Sequence, residues 1–359
     1  MQTQSKYRLL VVRLGAMGDI LHALPAVTAL RMAHPGWIID WVVEPKWRAL
    51  LSALPDPLST SGHSSPLQPV VDTLHFASTK EWRGRPFAGE TRAELALLRR
   101  SLKAGTYDTV LDLQGAVRSA AICRMAGSRR VIGEAEPREG VARWFFSERV
   151  ATHDAHVIEQ DIELASAVAG DDLAAVAPML PVDPAAERWT EELLSSSTNQ
   201  PSALINPGAG WGAKRWPVER YAAVAQGLLR RGFRVLVNGG PGEESLLESI
   251  SQQTNSAVTL LTGNLSQLIA VTRRVAIAIA GDTGPLHLAC ALGRPVVGIY
   301  GPTDPSRNGP FGTRFEVLRS PHSRRDHTRH EAPEAGLLTI TAEDVLKAAD
   351  KLLAEGHVR

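Results

Sequence analysis

This chain of 359 residues has few cysteines and almost no excess of charge. Its two cysteines, Cys123 and Cys290, each lie in an apolar, helix-like pattern, which is typical of a buried thiol rather than a disulfide or a metal ligand. Lysine and arginine total 39 against 38 aspartates and glutamates, a formal net charge of +1. No global field draws the protein to nucleic acid or to an anionic membrane, so we expect no nucleic-acid partner and only local attractions.

Long hydrophobic runs are also missing. No stretch approaches the roughly 18 apolar residues of a membrane span, and the N-terminal residues lead into a predicted strand without a signal-type apolar region. We therefore expect a cytoplasmic protein, with peripheral attachment to a membrane surface left open. The length allows two domains, each with a full hydrophobic core.

Strand-like and helix-like segments alternate through both halves of the chain, which predicts an α/β protein with parallel sheets covered on both faces. An Ala-, Pro- and Asp-rich stretch separates the halves. We predict an N-terminal domain over 1–175, a linker over 176–200, a C-terminal domain over 201–335 and a C-terminal helix within 336–359 that is a candidate for packing back on the N-terminal domain. The predicted strands are Tyr7–Arg13, Ile38–Val43, Val70–Phe76, Thr109–Leu113, Ala203–Asn206, Arg234–Asn238, Val258–Leu261, Val275–Ala280 and Val296–Tyr300.

The most informative segment is Gly281–Pro305, GDTGPLHLACALGRPVVGIYGPTDP. A buried strand precedes it, Asp282 and Thr283 are good N-cap residues, and Pro285 suits a first helical turn. The free backbone N–H groups and the dipole of such a helix favour an anion, a phosphate above all. The alternative at this point is a capped helix that binds no ligand.

Two further loops follow predicted strands of the second half. The glycine-rich loop Asn206–Pro217 carries Lys214 and Arg215, two cations that suit a diphosphate. The loop after the next strand carries Glu243 and Glu244, whose carboxylates could accept hydrogen bonds from a ribose diol; the alternative is first-turn charge favoured by the helix dipole. Ligands of parallel sheets bind where the carboxyl ends of strands meet, so all three loops are expected at one edge.

The first predicted strand ends in Arg13–Asp19, RLGAMGD. Its glycines have the spacing Gly-x-x-Gly and lack the G-x-G-x-x-G that close approach of a pyrophosphate requires, which disfavours an NAD-dependent oxidoreductase or a flavin site. The turn instead places Asp19 at a helix start. On this evidence alone, the alternative of a plain N-cap aspartate stays open.

Three motifs in order, LGAMGDILHALPAV, PGAGWGAKRWP and GDTGPLHLACALGRPVVGIYGPTDP, resemble those of the ADP-heptose lipopolysaccharide heptosyltransferases, glycosyltransferase family 9. The resemblance extends from Leu9 to about Gly312. It implies the GT-B fold, two Rossmann-like domains facing each other across a cleft. It also implies transfer of heptose from an ADP-sugar to the lipopolysaccharide inner core at the inner face of the cytoplasmic membrane, without a cofactor. GAMGD, DTG and YGPTDP are most similar to heptosyltransferase I, which acts on Kdo-bearing lipid A, whereas PGAGWGAKRWP is equally similar to heptosyltransferase II.

The resemblance also implies residue roles. Asp19 becomes the base that takes a proton from the acceptor hydroxyl, and Lys214 the catalytic cation that holds the donor phosphates. An inverting transfer needs one such base. The remaining donor-binding residues implied by the motifs are Arg215, Glu243, Asp282, Thr283, Gly284 and His287.

We expect no metal requirement. The cations and the helix N-terminus can stabilise the departing ADP, and no suitable loop resembles the Asp-x-Asp of metal-dependent sugar transferases. The polar stretch between residues 320 and 334 contains His322, His327 and His330. It has no Cys or carboxylate spacing that supports coordination, which favours a solvated loop over a metal site.

The implied acceptor carries phosphates and acidic sugars, so we expect local basic character in the N-terminal domain. Trp82, next to Arg83, is a candidate for contact with a membrane interface. The alternative for these residues is a solvated loop. Two other functions stay open: a heptosyltransferase II-type enzyme that adds a later heptose, and a nucleotide-sugar-binding protein without catalysis. We expect a monomer. The candidate acceptor-binding residues are Gly18, Arg83, Arg85, Arg118 and Arg138.

Overall fold

The computed structural model describes residues 6–55, 65–195, 200–324 and 331–355. The chain divides into two compact units, Met1–Asp183 and Pro184–Arg359. Each unit contains a six-stranded sheet in which every pair of neighbouring strands is parallel, with helices in the connections. This is the predicted α/β architecture, built twice.

The first unit has the strand order β3-β2-β1-β4-β5-β6. Strand β1, RLLVV, is buried over its last four residues, as expected for a central strand that helices cover on both faces. Helices α1 and α5 pack against each other. The elements are β1 Arg8–Val12, α1 Met17–Ala33, β2 Ile38–Val43, β3 Thr73–Phe76, α2 Thr79–Gly84, α3 Gly89–Ala104, β4 Thr109–Asp112, α4 Val117–Met125, β5 Arg130–Glu134, β6 Glu148–Val150 and α5 Val157–Ala169.

The second unit has the order β12-β11-β10-β7-β8-β9. Alternate residues of its strands pack into two cores, one on each face: Ile277 and Ile279 face one, Ala278 and Ala280 the other. The elements are α6 Pro184–Ser195, β7 Ser202–Asn206, α7 Val218–Arg230, β8 Arg234–Asn238, α8 Glu244–Gln253, β9 Thr259–Leu261, α9 Leu265–Thr272, β10 Ile277–Gly281, α10 Gly284–Ala291, β11 Val296–Tyr300, α11 Pro305–Asn308, β12 Phe315–Arg319 and α12 Ala342–Glu355.

Each predicted strand is present, and three further strands had no clear signal in the sequence. Strand β6 is only three residues long, and β12 is a partly exposed edge strand. Strand β5, RVIGE, has charged residues at both ends of a short apolar stretch. Short strands at or near a sheet edge bury too few side chains to show the continuous apolar run of a central strand.

The unit boundary differs in detail from the sequence expectation, and the C-terminal helix belongs to the second unit. The segment predicted as a linker contains α6, which packs on α9 and pairs Glu187 with Arg273 at 2.8 Å and with Arg274. Helix α12 packs against α7, β11 and β12 of its own unit, with Val345 and Leu352 in that unit's core. Its apolar face is thus used within the second unit.

Within the described ranges, no helix combines the length and the hydrophobicity needed to span a bilayer.

Candidate functional site

The donor-type loops follow β7, β8 and β10, which are neighbours in the second sheet. Since all three strands are parallel, their carboxyl ends lie at the same edge. The loop after β7 carries Lys214 and Arg215, the loop after β8 carries Glu243, and Asp282 directly follows β10. The predicted convergence of the three loops is therefore present in the fold.

Lys214 is anchored at this edge by Asp282. Its Nζ donates a short hydrogen bond to Oδ2 of Asp282 and lies 3.3 Å from the Asp282 carbonyl oxygen. It also lies 4.2 Å from the ring centroid of Trp211, a cation–π contact. The other carboxylate oxygen, Oδ1, is 3.2 Å from Nε2 of His287. A cation is thus held in one position by a carboxylate, an aromatic face and a backbone carbonyl.

The side chain of Asp282 is only 8% exposed. Burial alone would raise its pKa, but the hydrogen bond with His287 and the charge of Lys214 hold the pKa of Asp282 well below its ordinary value. The carboxylate is therefore ionised at neutral pH. With both oxygens engaged, Asp282 can position Lys214 and His287, and its charge is compensated before an anionic ligand arrives.

The mouth of α10 supplies further hydrogen-bond donors. Thr283 is the N-cap residue, and its carbonyl accepts the N–H groups of Leu286 and His287. The first N–H groups of a helix have no partner within the helix, so those of Thr283 and Gly284 point out of its start. With the helix dipole, they favour a phosphate beside Lys214. His287, one turn into the helix, is buried and supports Asp282.

Glu243 joins the loops after β7 and β8. It is the N-cap residue of α8, and its Oε2 accepts a 2.7 Å hydrogen bond from the Gly240 N–H. The carboxylate lies against Gly208, where an added Cβ would be 2.2 Å from Oε1. Only glycine admits this close approach. Arg215 is exposed, next to Lys214 in the chain.

The first unit places Asp19 at the carboxyl end of its central strand. Asp19 lies in the first turn of α1, where Oδ2 accepts a 3.0 Å hydrogen bond from the Ala16 N–H. Its Oδ1 is 3.7 Å from Nη2 of Arg13, a long ion pair, and its side chain is 36% exposed. The N-cap residue is Ala16, so Asp19 is not the plain N-cap of the alternative; as the third residue of the helix it accepts the Ala16 N–H and still has exposed surface.

The turn that carries Asp19 is fixed by a neighbouring loop. Gln114 lies in the loop that follows β4. Its side-chain oxygen accepts hydrogen bonds from the N–H groups of Leu14 at 3.1 Å and Gly15 at 3.4 Å. A Cβ at Gly15 would lie 2.7 Å from the indole nitrogen of Trp47, so the chain passes too close to this ring for a side chain. The position of Asp19 is thus set by residues from two other loops.

The candidate acceptor residues fall into two groups. Arg118 and Arg138 are exposed and follow β4 and β5; β4 is next to β1, the strand that leads to Asp19, and β5 is two strands from it. Gly18 is half-buried in the same helical turn as Asp19. Arg83 and Arg85 lie on and just after α2, which follows β3, two strands away from β1 on its other side.

Contacts around α2 involve two of the side chains expected to meet the acceptor or the membrane, Arg85 and Trp82. Arg85 pairs with Glu90 at 3.1 Å. Trp82 is half-buried, and its indole N–H donates to Glu94 at 2.6 Å, so it is not the exposed aromatic side chain expected from the sequence.

Among the described residues, no group of three or more His, Cys, Asp and Glu side chains could hold a metal ion. His322 lies in a described turn, whereas His327 and His330 lie outside the described residues. Both cysteines are buried free thiols, as predicted.

Three residues of these sites were not identified from the sequence. Arg13 and Gln114 contact the Asp19 turn, and Trp211 covers Lys214. Gln114 acts across about one hundred positions of sequence, so no local pattern could reveal it. Trp211 lies in the predicted loop, and an aromatic residue three positions before a lysine was the available signal.

Two doubly wound units, one with a cation held at a helix mouth, define an α/β protein suited to binding a phosphorylated ligand. The chain belongs to glycosyltransferase family 9 (heptosyltransferase), whose family model matches residues 95–337. It is 29% identical over 356 residues to lipopolysaccharide heptosyltransferase 1 of Escherichia coli (strain K12), an alignment that covers 96% of this chain and 100% of the relative.

Solved structures agree with this assignment. Escherichia coli heptosyltransferase WaaC with ADP superposes with a TM-score of 0.77 at 27% identity, covering 96% of this chain and 99% of the other. A family 9 glycosyltransferase from Veillonella parvula gives a TM-score of 0.81 at 23% identity, covering 98% and 99%, and supports the fold. The two parallel six-stranded sheets are those of GT-B heptosyltransferases, so the fold class predicted from the sequence is confirmed, as is the assignment to an enzyme family.

Proposed function

We propose that this glycosyltransferase transfers heptose from ADP-heptose to the Kdo-bearing lipid A inner core of lipopolysaccharide, with inversion at the anomeric carbon. The observation that carries the proposal is the Lys214–Asp282–His287 cluster at the mouth of α10. The similarity to a heptosyltransferase 1 over nearly the whole chain supports the choice of donor and acceptor.

The donor diphosphate binds to the second unit. Lys214 and the N–H groups of Thr283 and Gly284 face the phosphates, and they neutralise charge as the ADP leaves. Asp282 keeps Lys214 in place and does not itself contact the phosphate, because a carboxylate buried beside a diphosphate would repel it. Glu243, whose carboxylate lies against Gly208 of the neighbouring loop, accepts hydrogen bonds from the ribose hydroxyls.

The first unit supplies the base. The acceptor hydroxyl gives its proton to Asp19 while its oxygen attacks the anomeric carbon. The bond from that carbon to the phosphate oxygen breaks, and ADP departs with the electron pair. One carboxylate suffices for such a single displacement, which inverts the configuration. Arg118, in the first turn of α4 after the neighbouring strand β4, and Arg138, in the loop after β5, bind acidic groups of the acceptor.

The transfer proceeds without a metal ion in this proposal, because Lys214 and the helix N-terminus provide the positive charge that a divalent cation would supply. Turnover in EDTA should equal turnover in magnesium. Loss of activity in EDTA that magnesium restores would contradict metal independence and leave the transfer reaction itself intact.

The decisive experiment is a transfer assay with ADP-heptose and two lipid acceptors, one with Kdo alone and one that already carries a first heptose. We expect product with the first acceptor, and an inverted anomeric centre by NMR. Product with the second acceptor only would indicate a heptosyltransferase II-type enzyme. Binding of ADP-heptose without product on either acceptor would indicate a nucleotide-sugar-binding protein.

The lipid acceptor calls for contact with a membrane surface, and we place that contact at the turn Gly140–Phe145 of the first unit. Trp144 is 68% exposed, and the guanidinium groups of Arg143 and Arg149 each lie 5.3 Å from its ring centroid. An aromatic ring flanked by cations suits the interface of an anionic bilayer.

Co-sedimentation of the protein with phosphatidylglycerol vesicles should therefore fall when Trp144 is replaced by Ala. The control is Phe315→Ala, which removes an exposed aromatic ring from the second unit. Equal binding of both variants would contradict the placement.

A further inference from the structure

A later part of the chain, residues 331–337, lies against the turn Gly212–Lys214, and we call it the strap. Its backbone is in contact with Gly212, where an added Cβ would lie 1.7 Å from the carbonyl oxygen of Glu331. Gly212 is itself buried. Only a residue without a side chain admits so close an approach, so the strap and the turn meet backbone to backbone.

A hydrogen bond joins the strap to the residue before Lys214. The N–H of Glu334 donates to the carbonyl oxygen of Ala213 at 3.1 Å. A Cβ at Gly301, in the loop after β11, would lie 3.3 Å from Cβ of Leu337 and 3.5 Å from the same Ala213 oxygen. The backbone that leads to the lysine is therefore held between the strap and the loop after β11.

The side chain of Glu334 fixes the strap in this position. Its Oε2 accepts hydrogen bonds from the hydroxyl of Ser323 at 2.8 Å and from the N–H of Leu337 at 2.9 Å. Burial alone would raise the pKa of Glu334, but the N–H of Gly336 and these two donors hold it below its ordinary value, so the acceptor is ionised at neutral pH. Leu337 is fully buried in the core of the second unit. The carboxylate thus links the strap to that core.

We propose that Glu334 is a positioning residue for Lys214, because its hold on the strap fixes the backbone from which the lysine reaches the donor diphosphate. The inference rests on the proposed function, in which Lys214 binds that diphosphate. Asp282 holds the ammonium end of the lysine, and the strap holds its backbone end. A cation fixed at both ends meets the phosphates without first being ordered, and ordering it at that moment would reduce affinity.

The first test is Glu334→Ala in the whole chain, which removes both side-chain hydrogen bonds. We expect the affinity for ADP, measured by calorimetry, to fall roughly tenfold. KM for ADP-heptose should rise, while KM for the lipid acceptor stays unchanged. Glu334→Gln keeps an oxygen that accepts the same two hydrogen bonds, so it should bind ADP within about twofold of wild type.

The matched control is Asp344→Ala, at the start of α12 in the same unit. Asp344 accepts hydrogen bonds from the N–H of Thr341 at 2.9 Å and from its hydroxyl at 2.6 Å. This variant loses the same two kinds of bond as Glu334→Ala, so its melting temperature should fall by a similar amount. Its affinity for ADP should stay at the wild-type value. An equal loss of affinity in both variants would reflect a general loss of stability and would overturn the proposal.

A double-mutant cycle decides whether Glu334 acts through Lys214. Lys214→Met leaves no ammonium group to position, so adding Glu334→Ala to it should weaken ADP binding by less than about twofold. An equal loss of affinity in the presence and absence of the lysine would mean that Glu334 acts on the donor by another route, which overturns the positioning role.

Gly212→Ala tests the same contact from the side of the turn. The new methyl group would meet the backbone of Glu331 and separate the strap from the turn. We expect roughly tenfold weaker ADP binding, as for the loss of the Glu334 side chain. Gly210→Ala is the control, since a Cβ there meets nothing within 4 Å. Wild-type affinity in both variants would contradict a role for the strap in donor binding.

The binding measurements do not require transfer, so the two possible failures are distinguishable. If the wild type transfers no heptose and the cycle still shows coupling between Glu334 and Lys214, the proposed function fails and the positioning role stands. If heptose is transferred and the coupling is absent, the positioning role alone fails.

Discussion

Asp19 and Asp282 come from the same sequence pattern in the two units, an aspartate at a helix start just after a central parallel strand. Their surroundings differ. Asp19 is 36% exposed and has one long ion pair, whereas Asp282 is 8% exposed and has both oxygens engaged by Lys214 and His287. A half-exposed carboxylate with spare capacity can accept a proton from a substrate, and a buried, fully engaged one can only hold other groups in place.

The difference teaches that an aspartate at a helix mouth takes its role from the cation beside it. Nη2 of Arg13 lies 3.7 Å from Oδ1 of Asp19, which is a long ion pair, and this leaves the Asp19 carboxylate available to a substrate. Lys214 is in close contact with Asp282 and is itself the group proposed to face the donor phosphates. Each of the following experiments would break or sharpen this contrast.

The largest effect should come from Asp19→Asn, which keeps the helix cap and removes the base. We expect kcat to fall by about 10³, within the usual range for a general base, with ADP affinity within about twofold of wild type. Steady-state kinetics and calorimetry measure the two. The control is Asp344→Asn, because Asp344 caps α12 in the same way, accepting the Thr341 N–H at 2.9 Å. If both variants keep full activity, Asp19 is only a cap.

Lys214→Met should be next, because it leaves the buried Asp282 carboxylate without its main counter-charge. We expect a loss of about 3 kcal/mol in the free energy of unfolding, the usual cost of breaking a buried ion pair, and at least tenfold weaker ADP binding. Urea denaturation measures the free energy of unfolding, and calorimetry measures the affinity for ADP.

The chain offers a matched control for this change. Lys46 also lies over a tryptophan ring, at 4.7 Å from Trp47, and pairs with Glu44 at 3.5 Å, but it is exposed. Lys46→Met should cost less than about 1 kcal/mol. Similar losses in both variants would remove the distinction between a buried and an exposed pair.

The pH dependence of stability should separate Asp282 from another buried carboxyl, Asp112. The pKa of Asp282 is lowered, so its contribution is present above about pH 4 and is lost as the pH falls. The free energy of unfolding of the wild type should therefore approach that of Asp282→Asn as the pH falls from about 4 to about 2.5, as measured by urea titrations.

Burial raises the pKa of Asp112, so folding shifts this group toward its protonated form relative to the unfolded chain. The difference between wild type and Asp112→Asn should change in the opposite direction, with the wild type relatively better at low pH. The same slope for both pairs would contradict these assignments.

The smallest effect should come from Gly208→Ala. The new methyl group would displace the Glu243 carboxylate and remove about one hydrogen bond to the donor, which corresponds to about fivefold weaker ADP binding. Gly210→Ala is the control, because a Cβ there meets nothing within 4 Å. Equal affinities of the two variants would argue against a donor contact for Glu243.

Much of the fold could be predicted from the sequence, because central parallel strands are continuous apolar runs and the turns after them are rich in glycine and capping residues. The edge strands β6 and β12 were not predicted, since they lack such runs. The packing of α12 on α7, β11 and β12 was not predicted, because an amphipathic pattern shows that a face is buried and does not show against what.

The candidate site was predicted as a set of loops, and its internal contacts were not. The sequence places Lys214 and Asp282 on converging loops, but not in contact with each other across 68 positions. Trp82 is an aromatic residue of the kind found at membrane interfaces, yet its indole N–H donates a hydrogen bond to Glu94 on the next helix. Such pairings depend on how helices pack, and no local pattern encodes them.

The strand orders of the two units match when β1 is equated with β7 and β4 with β10. In both units, the group proposed to act, Asp19 or Lys214, comes from the loop after the earlier of these two strands. In both, a residue after the later strand, Gln114 or Asp282, reaches across and fixes that loop. The molecule thus repeats one arrangement of an acting loop and a bracing loop, so a redesign of specificity in either half should alter both loops together.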